Sequence, residues 1–245
     1  MRVIKRNLNL QNIPHIMVKF NIKWYERLLK NTNEKEVLVN KIASLLEGKS
    51  HESCLEIGLG TSPYYARRLS KYFKKYVIIE NRLIKTPIPK TAELINEDWE
   101  KSDFNDKFDV IIASHVIYYF KDKEKSIRKI LQSLNNDGRA YFVVNGKEAD
   151  YGPLKAIFSE FLGEKYVFTY DELMNLIKDS KFREYTIPST IHFNSYDELF
   201  ETLRITFDHY PKEYEKMKDK MIKYLENHIK GSSFNVDQKI IEVYK

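Results

Sequence analysis

From Ser53 onward the chain alternates short apolar runs with helix-length amphipathic stretches, and that alternation leaves few architectures open. The apolar runs cover 54–57, 76–79, 93–95, 110–113, 140–144, 185–191 and 239–243. Helical segments near 64–73, 123–134, 154–161 and 170–180 lie between them, with Thr169 standing where the last would take its N-cap. Near-continuous apolar strands separated by helices describe an α/β protein with a seven-stranded, mostly parallel sheet covered on both faces. Pro188 lies in the sixth run and has no N–H to donate, so that strand belongs at an edge or a bulge.

Two helices precede the sheet, over 22–30 and 33–46. Val37, Val39, Ile42, Leu45 and Leu46 give the second an apolar face, and Gly48 stops it. A polar, helical insertion rich in Tyr, Phe, Lys and Glu occupies 195–230, just before the last run. The division expected is an N-terminal helical cap over 1–50, a core over 51–194, the insertion over 195–230 and the final core strand within 231–245. Trp24, Tyr25, Tyr196, Phe200 and Phe207 either close a site under this cap or form ordinary core between cap and sheet.

Composition narrows the classes. The 245 residues are 42% hydrophobic and 31% charged, and no run approaches the roughly 18 apolar residues a spanning helix needs. The opening MRVIKRNLNL lacks a signal peptide's apolar block, so a soluble, cytoplasmic protein without a membrane partner is expected, as monomer or homodimer. Cys54 stands alone and within an apolar run, which excludes an intrachain disulfide or a cysteine cluster. His15, His51, His192, His209 and His228 show no ligand spacing, and no metal is expected. The net charge of +6 admits an acidic partner, but the lysines are scattered among acids and aromatics. A solvated lysine-rich surface is the preferred reading and a nucleic-acid face the lesser one.

The chemistry begins at Leu55-Glu56-Ile57-Gly58-Leu59-Gly60-Thr61-Ser62, where a buried strand runs into a glycine turn and then a helix. Gly58 and Gly60 let the backbone turn sharply and approach a ligand. The second strand ends on Glu80, placed to accept hydrogen bonds from both hydroxyls of a ribose; a solvent-facing strand-end acid is the competing reading. Position 63 is Pro63, where a dinucleotide fingerprint needs a small residue, and no triphosphate loop is present. A cofactor with a ribose and no pyrophosphate fits, which points to S-adenosylmethionine. After the third strand, Asp98 is positioned to accept from an adenine amino group and Trp99 to contact the base, although a capped loop with a half-buried Trp would read the same way. Ser114 and His115 leave the fourth strand at the carboxyl edge of the sheet, where ligands sit in open α/β folds. His115 is the candidate base or orienting group, with a structural histidine weighed equally.

Taken together, Glu-Ile-Gly-Leu-Gly, Glu80, Asp98-Trp99 and Phe-Asp-Val-Ile-Ile-Ala-Ser-His resemble the successive motifs of class I, Rossmann-like S-adenosylmethionine-dependent methyltransferases. The likeness covers roughly 54–144, and Asn135-Asn136-Asp137-Gly138-Arg139 resembles that family's turn before the fifth strand. It implies S-adenosylmethionine bound by Glu56, Gly58, Gly60, Thr61, Glu80, Asp98, Trp99 and Ser114, with S-adenosylhomocysteine as product. A fainter similarity to histamine N-methyltransferase rests on Leu-Leu-Lys-Asn-Thr-Asn-Glu and His-Val-Ile-Tyr-Tyr-Phe-Lys-Asp. It implies a substrate pocket with Glu34, Tyr118 and Tyr119, to which Tyr25 is added; His115 replaces that family's ring-holding glutamine, and Glu34 would equally suit a solvated helix start. No Asn-Pro-Pro-Tyr-like motif follows the fourth strand, which argues against DNA bases and glutamine side chains. In-line methyl transfer to a nitrogen or oxygen of a small molecule is expected first, RNA or protein as acceptor second, and a cofactor-binding partner or sensor without activity third.

Overall fold

The computed structural model describes residues 20–84, 86–163 and 169–245. His15, the opening MRVIKRNLNL and the first part of the expected cap lie outside the described residues.

The seven runs are strands of one sheet: β1 (His51–Ile57), β2 (Phe73–Ile79), β3 (Ala92–Ile95), β4 (Phe108–Ser114), β5 (Leu134–Asn145), β6 (Lys181–His192) and β7 (Ser233–Tyr244). Their order is β3-β2-β1-β4-β5-β7-β6. The first five are parallel, and β7 inserts antiparallel between β5 and β6. Pro188 therefore sits on an edge strand, opposite Asp237, as its missing N–H requires.

Side chains alternate across the strands and feed two cores. Leu55, Ile57, Val77, Ile79, Ile111, Ala113, Phe142 and Val144 pack with Ile127 and Ile130 of α4 (Lys123–Gln132) and Leu173 of α6 (Thr169–Leu176). On the opposite face Cys54, Tyr76, Ile78, Val110, Ile112, Tyr141 and Val143 meet Leu38, Val39, Ile42 and Leu46 of α2 (Glu34–Leu46). Tyr65, Ala66 and Leu69 of α3 (Tyr64–Leu69) complete that layer.

A third core joins α1 (Ile22–Asn31) and α5 (Tyr151–Leu162) to the insertion, which folds as α7 (Tyr196–Leu203), a 3-10 turn, α8 (Pro211–Lys216) and α9 (Lys218–His228). Tyr214 stacks on Phe200 at 4.3 Å and on Phe207 at 4.6 Å between centroids. Phe200 and Phe207 are thus buried core, and Trp24 and Tyr196 pack against it. Of the five aromatics expected either to close a site or to fill a core, only Tyr25 also reaches the glycine turn.

Several boundaries differ from the sequence reading. The helix expected over 64–73 ends at Leu69, because a 3-10 turn at Ser70–Tyr72 delivers Phe73 directly into β2. Thr169 is already helical and not a cap. The turn expected at 135–139 lies within β5, whose register against β4 jumps from Phe108–Leu134 to Val110–Arg139, so 135–138 bulge from the ladder. Among the described residues no helix is long and apolar enough to cross a membrane.

Candidate active site at the carboxyl edge of the sheet

The glycine turn forms as its residues dictate. Gly58 and Gly60 have φ of +78° and +72°, which L side chains rarely adopt. A Cβ on Gly58 would stand 3.0 Å from Val116 Cγ2, and one on Gly60 3.1 Å from Tyr25 Cε1. The turn is closed by Gly58 N donating to Ile79 O at 2.9 Å and by Leu59 N donating to Glu80 Oε2 at 2.9 Å. Thr61 turns its carbonyl to Thr86 Oγ1, which donates at 3.3 Å.

Glu80 is buried at the end of β2. Its carboxylate accepts from Arg82 N, Nε and Nη2 at 3.1, 2.8 and 2.9 Å, and Arg82 Nη2 also donates to Gly60 O at 2.9 Å. Burial alone would raise the Glu80 pKa, but the hydrogen bonds and charge of Arg82, with the Leu59 N–H, hold it below its ordinary value. Arg82, absent from the sequence reading, stacks its guanidinium 4.4 Å from the centroid of Phe20.

Glu56, one residue before the end of β1, is buried and accepts from Tyr76 Oη at 2.8 Å. Burial pushes its pKa up to about 7 against the pull of that bond and of the Lys35 charge. Ser114 ends β4 with its hydroxyl 2.9 Å from Tyr65 Oη. Asp98 caps its own loop, accepting from Glu100 N at 3.0 Å. The Trp99 ring is buried in the core with Lys129 Nζ 4.3 Å from its centroid, so the ring cannot serve as a stacking face; only the backbone of Trp99 remains for a base.

The residues expected around an acceptor do converge. Asn33 Oδ1 accepts from Thr190 N at 2.9 Å, pinning the start of α2 to β6 and driving Glu34 under the helix as a buried acid. Glu34 Oε1 lies 3.4 Å from His115 Nε2, and Glu34 Oε2 accepts from Gln238 Nε2 at 3.1 Å. His115 occupies the left-handed region at φ +52°, and its Nδ1 is 3.4 Å from Tyr118 Oη. Tyr118 Oη in turn accepts from Asn145 N at 2.7 Å. Burial lowers the His115 pKa, against the opposing pull of the Glu34 carboxylate, and so favours the neutral ring. Tyr25, Phe20, Tyr118 and Tyr119 contact one another edge to face around this group.

Sequence reasoning missed Asp208, a buried acid of the insertion that accepts from Tyr119 Oη at 3.2 Å and pairs with His209 Nδ1 at 2.8 Å. No local signal marks it, because only the packing of the insertion brings it to the loop after β4. It also missed Asn145, although a polar residue ending a strand at this edge, like Ser114, was a readable sign.

The donor set fits a nucleoside carrying a cation. A glycine cradle offers a close backbone approach, Glu80 offers two carboxylate oxygens to paired hydroxyls, and Glu56 offers a buried acid to positive charge.

A methyltransferase-domain family matches residues 22–201. The chain belongs to that family. Its class, an S-adenosylmethionine-dependent methyltransferase with a Rossmann-like α/β fold, and its cofactor are those expected from the motifs. The match ends inside α7, so α8 and α9 lie beyond it. Among curated proteins, nodulation protein S of Azorhizobium caulinodans is 32% identical over 108 residues, covering 40% of this chain and 51% of that protein. The matched stretch thus spans about half the length of that relative. Among solved structures, N-methyltransferase NodS of Bradyrhizobium japonicum WM9 with S-adenosyl-L-homocysteine superposes with a TM-score of 0.51 at 13% identity, covering 91% of this chain and 96% of that one. The YcgJ protein of Bacillus subtilis gives 0.55 at 16% identity, covering 84% and 97%. At these identities the structures speak for the fold alone.

Proposed function

We propose that this methyltransferase acts on an amine nitrogen of a small molecule. The observation that carries the reading is the buried Glu34 carboxylate, 3.4 Å from His115 Nε2 and beside a group of edge-to-face aromatic rings. A buried acid among aromatic faces favours a cation, by direct charge pairing and by the ring quadrupoles.

On the cofactor side, Glu80 would accept the ribose hydroxyls once the Arg82 guanidinium gives way, and the Gly58 to Gly60 backbone would leave room for the methionine part. Asp98 and the Trp99 backbone would meet the adenine, Ser114 and Thr61 would border the chain, and Glu56 would face the ammonium group. When bound, S-adenosylmethionine supplies an activated methyl group on a sulfonium. The protein's share is then to hold the acceptor lone pair in line and exclude water. The helical parts, with α1 over the glycine turn, would act as the cap.

Glu34 would bind the acceptor as its ammonium form and take the proton that frees the lone pair. His115 suits an orienting role better than that of base. Tyr118 Oη accepts from Asn145 N and lies 3.4 Å from His115 Nδ1; a hydrogen donated there would leave the Nε2–H tautomer facing Glu34. Tyr25, Tyr118 and Tyr119 would form the walls.

The test is transfer of a labelled methyl group from S-adenosylmethionine to matched series of amines, alcohols and carboxylates, with RNA and a peptide mixture alongside. Label appearing on amines and falling sharply in Glu34→Gln supports the reading. Label confined to alcohols, carboxylates or macromolecules overturns it.

A further inference from the structure

Two amide side chains beside Glu34 belong to neither the sequence motifs nor the roles above. Gln238 of β7 and Asn145 of β5 lie directly opposite each other in the antiparallel ladder. Both fall on the α2 face of the sheet, by alternation from Ile240 and Val143. Gln238 is 1% exposed, buried in the sheet layer that Ile240, Val143 and Leu38 line.

Their hydrogen bonding is lopsided. Gln238 Nε2 donates twice, to Glu34 Oε2 at 3.1 Å and to Ser189 Oγ at 3.0 Å, which fixes which end of the amide is oxygen. Its Oε1 is buried and meets no donor. Asn145 Oδ1 is buried and equally without a donor, in the residue whose own backbone N–H donates to Tyr118 Oη. Native proteins rarely leave buried acceptors unpaired, and each such atom costs on the order of 1–3 kcal/mol. Two of them on facing positions, next to a buried carboxylate, form a cluster that lacks N–H donors.

We infer that Asn145 and Gln238 are acceptor-binding residues, whose amide oxygens receive N–H groups of the amine that Glu34 binds. The inference rests on the amine reading and extends it from one carboxylate to a three-oxygen site. An ammonium carries several donors spread tetrahedrally, so it can meet one carboxylate and two carbonyl oxygens at once; a hydroxyl carries one. The site would therefore prefer primary over tertiary amines and amines over alcohols, because an analogue without donors leaves both oxygens unmet.

The experiment is calorimetric titration of protein saturated with S-adenosylhomocysteine, using benzylamine and n-butylamine against benzyl alcohol and n-butanol. Wild-type protein is expected to bind the amines and not the alcohols. Asn145→Leu and Gln238→Met should weaken amine binding by on the order of tenfold each while leaving S-adenosylhomocysteine affinity unchanged. Asn145→Asp keeps an acceptor oxygen and the shape; it should retain binding, and it serves if the apolar variants fail to fold. Wild-type binding that both apolar variants match would overturn the inference and leave the amine reading standing. Failure of wild-type protein to bind either amine would overturn both.

Discussion

Glu34 and His115, one at the start of α2 and the other just past β4, meet at 3.4 Å at the carboxyl edge of the sheet. Burial lowers the histidine pKa from its ordinary 6.5, and the carboxylate pushes the other way. Removing the carboxylate should therefore move the titration further down. In proton–carbon NMR of the imidazole ring, His115 is expected to titrate below 6.5 in wild-type protein and lower still in Glu34→Gln. Because the folded form prefers the neutral ring, its contribution to stability is complete above about 6.5 and drains as pH falls through the folded value. A wild-type titration at or above 6.5 would contradict the geometry.

The Glu80 carboxylate is the test of the ribose assignment. Replacing it by Ala removes two charge-assisted acceptors worth about 1.5 kcal/mol each, so S-adenosylmethionine affinity should fall on the order of 100-fold. Glu80→Gln keeps one acceptor and should fall between. Calorimetry with S-adenosylhomocysteine reads the effect without turnover; affinity in Glu80→Ala within threefold of wild type would place the ribose elsewhere.

The fold around the glycine turn was largely legible because its signals are local. A strand, a glycine turn and an acid closing the next strand are fixed by side-chain period and by a short spacing, and β1, β2 and the Gly58–Gly60 turn follow from them. Arg82 was not legible: two residues from Glu80, it reads as one more surface cation until the loop folds it back onto the carboxylate. Trp99 sits in a loop with no period to fix its direction, and the core took its ring. Gln238 required knowing that β7 runs antiparallel between β5 and β6, which no local pattern states. Phe200 and Phe207 show the same limit, since an aromatic stripe looks alike whether it lines a pocket or fills the core that Tyr214 completes.

Gly60 tests the cradle from the backbone side. At φ +72° an alanine costs about 1–2 kcal/mol, and its Cβ would press on Tyr25. For a chain of this size that corresponds to a melting point lower by about 2–8 °C. Gly60→Ala should lower both the melting point and S-adenosylhomocysteine affinity. Gly48→Ala, also at positive φ but with open space around it, should lower the melting point alone. Equal cofactor affinity in the two variants would remove the cradle from the binding argument.

Glu242 separates stability from function. It is buried on β7, accepting from Arg139 Nη1 at 2.8 Å, Tyr185 Oη at 2.9 Å and Tyr141 Oη at 3.3 Å. Burial raises its pKa, but the hydrogen bonds of Tyr244, Tyr185 and Arg139 and the Arg139 charge outweigh it and hold the carboxyl below its ordinary value. A depressed carboxyl contributes stability that is fully present above about 4.3 and is lost as pH falls through the folded value. Glu242→Leu strands the Arg139 charge and the hydroxyls of Tyr141, Tyr185 and Tyr244, and unfolding free energy should drop by about 3–5 kcal/mol. The variant should also lose less stability than wild type between neutral pH and acid, since the titrating group is gone. Glu242 pairs with Tyr141, four residues before Asn145 at the carboxyl end of β5, so cofactor affinity should remain at the wild-type value. Urea unfolding at neutral and acidic pH, with calorimetry of the folded variant, reads all three quantities. A variant as stable as wild type at neutral pH, or one with impaired cofactor binding, would show that the Glu242 network has a different role.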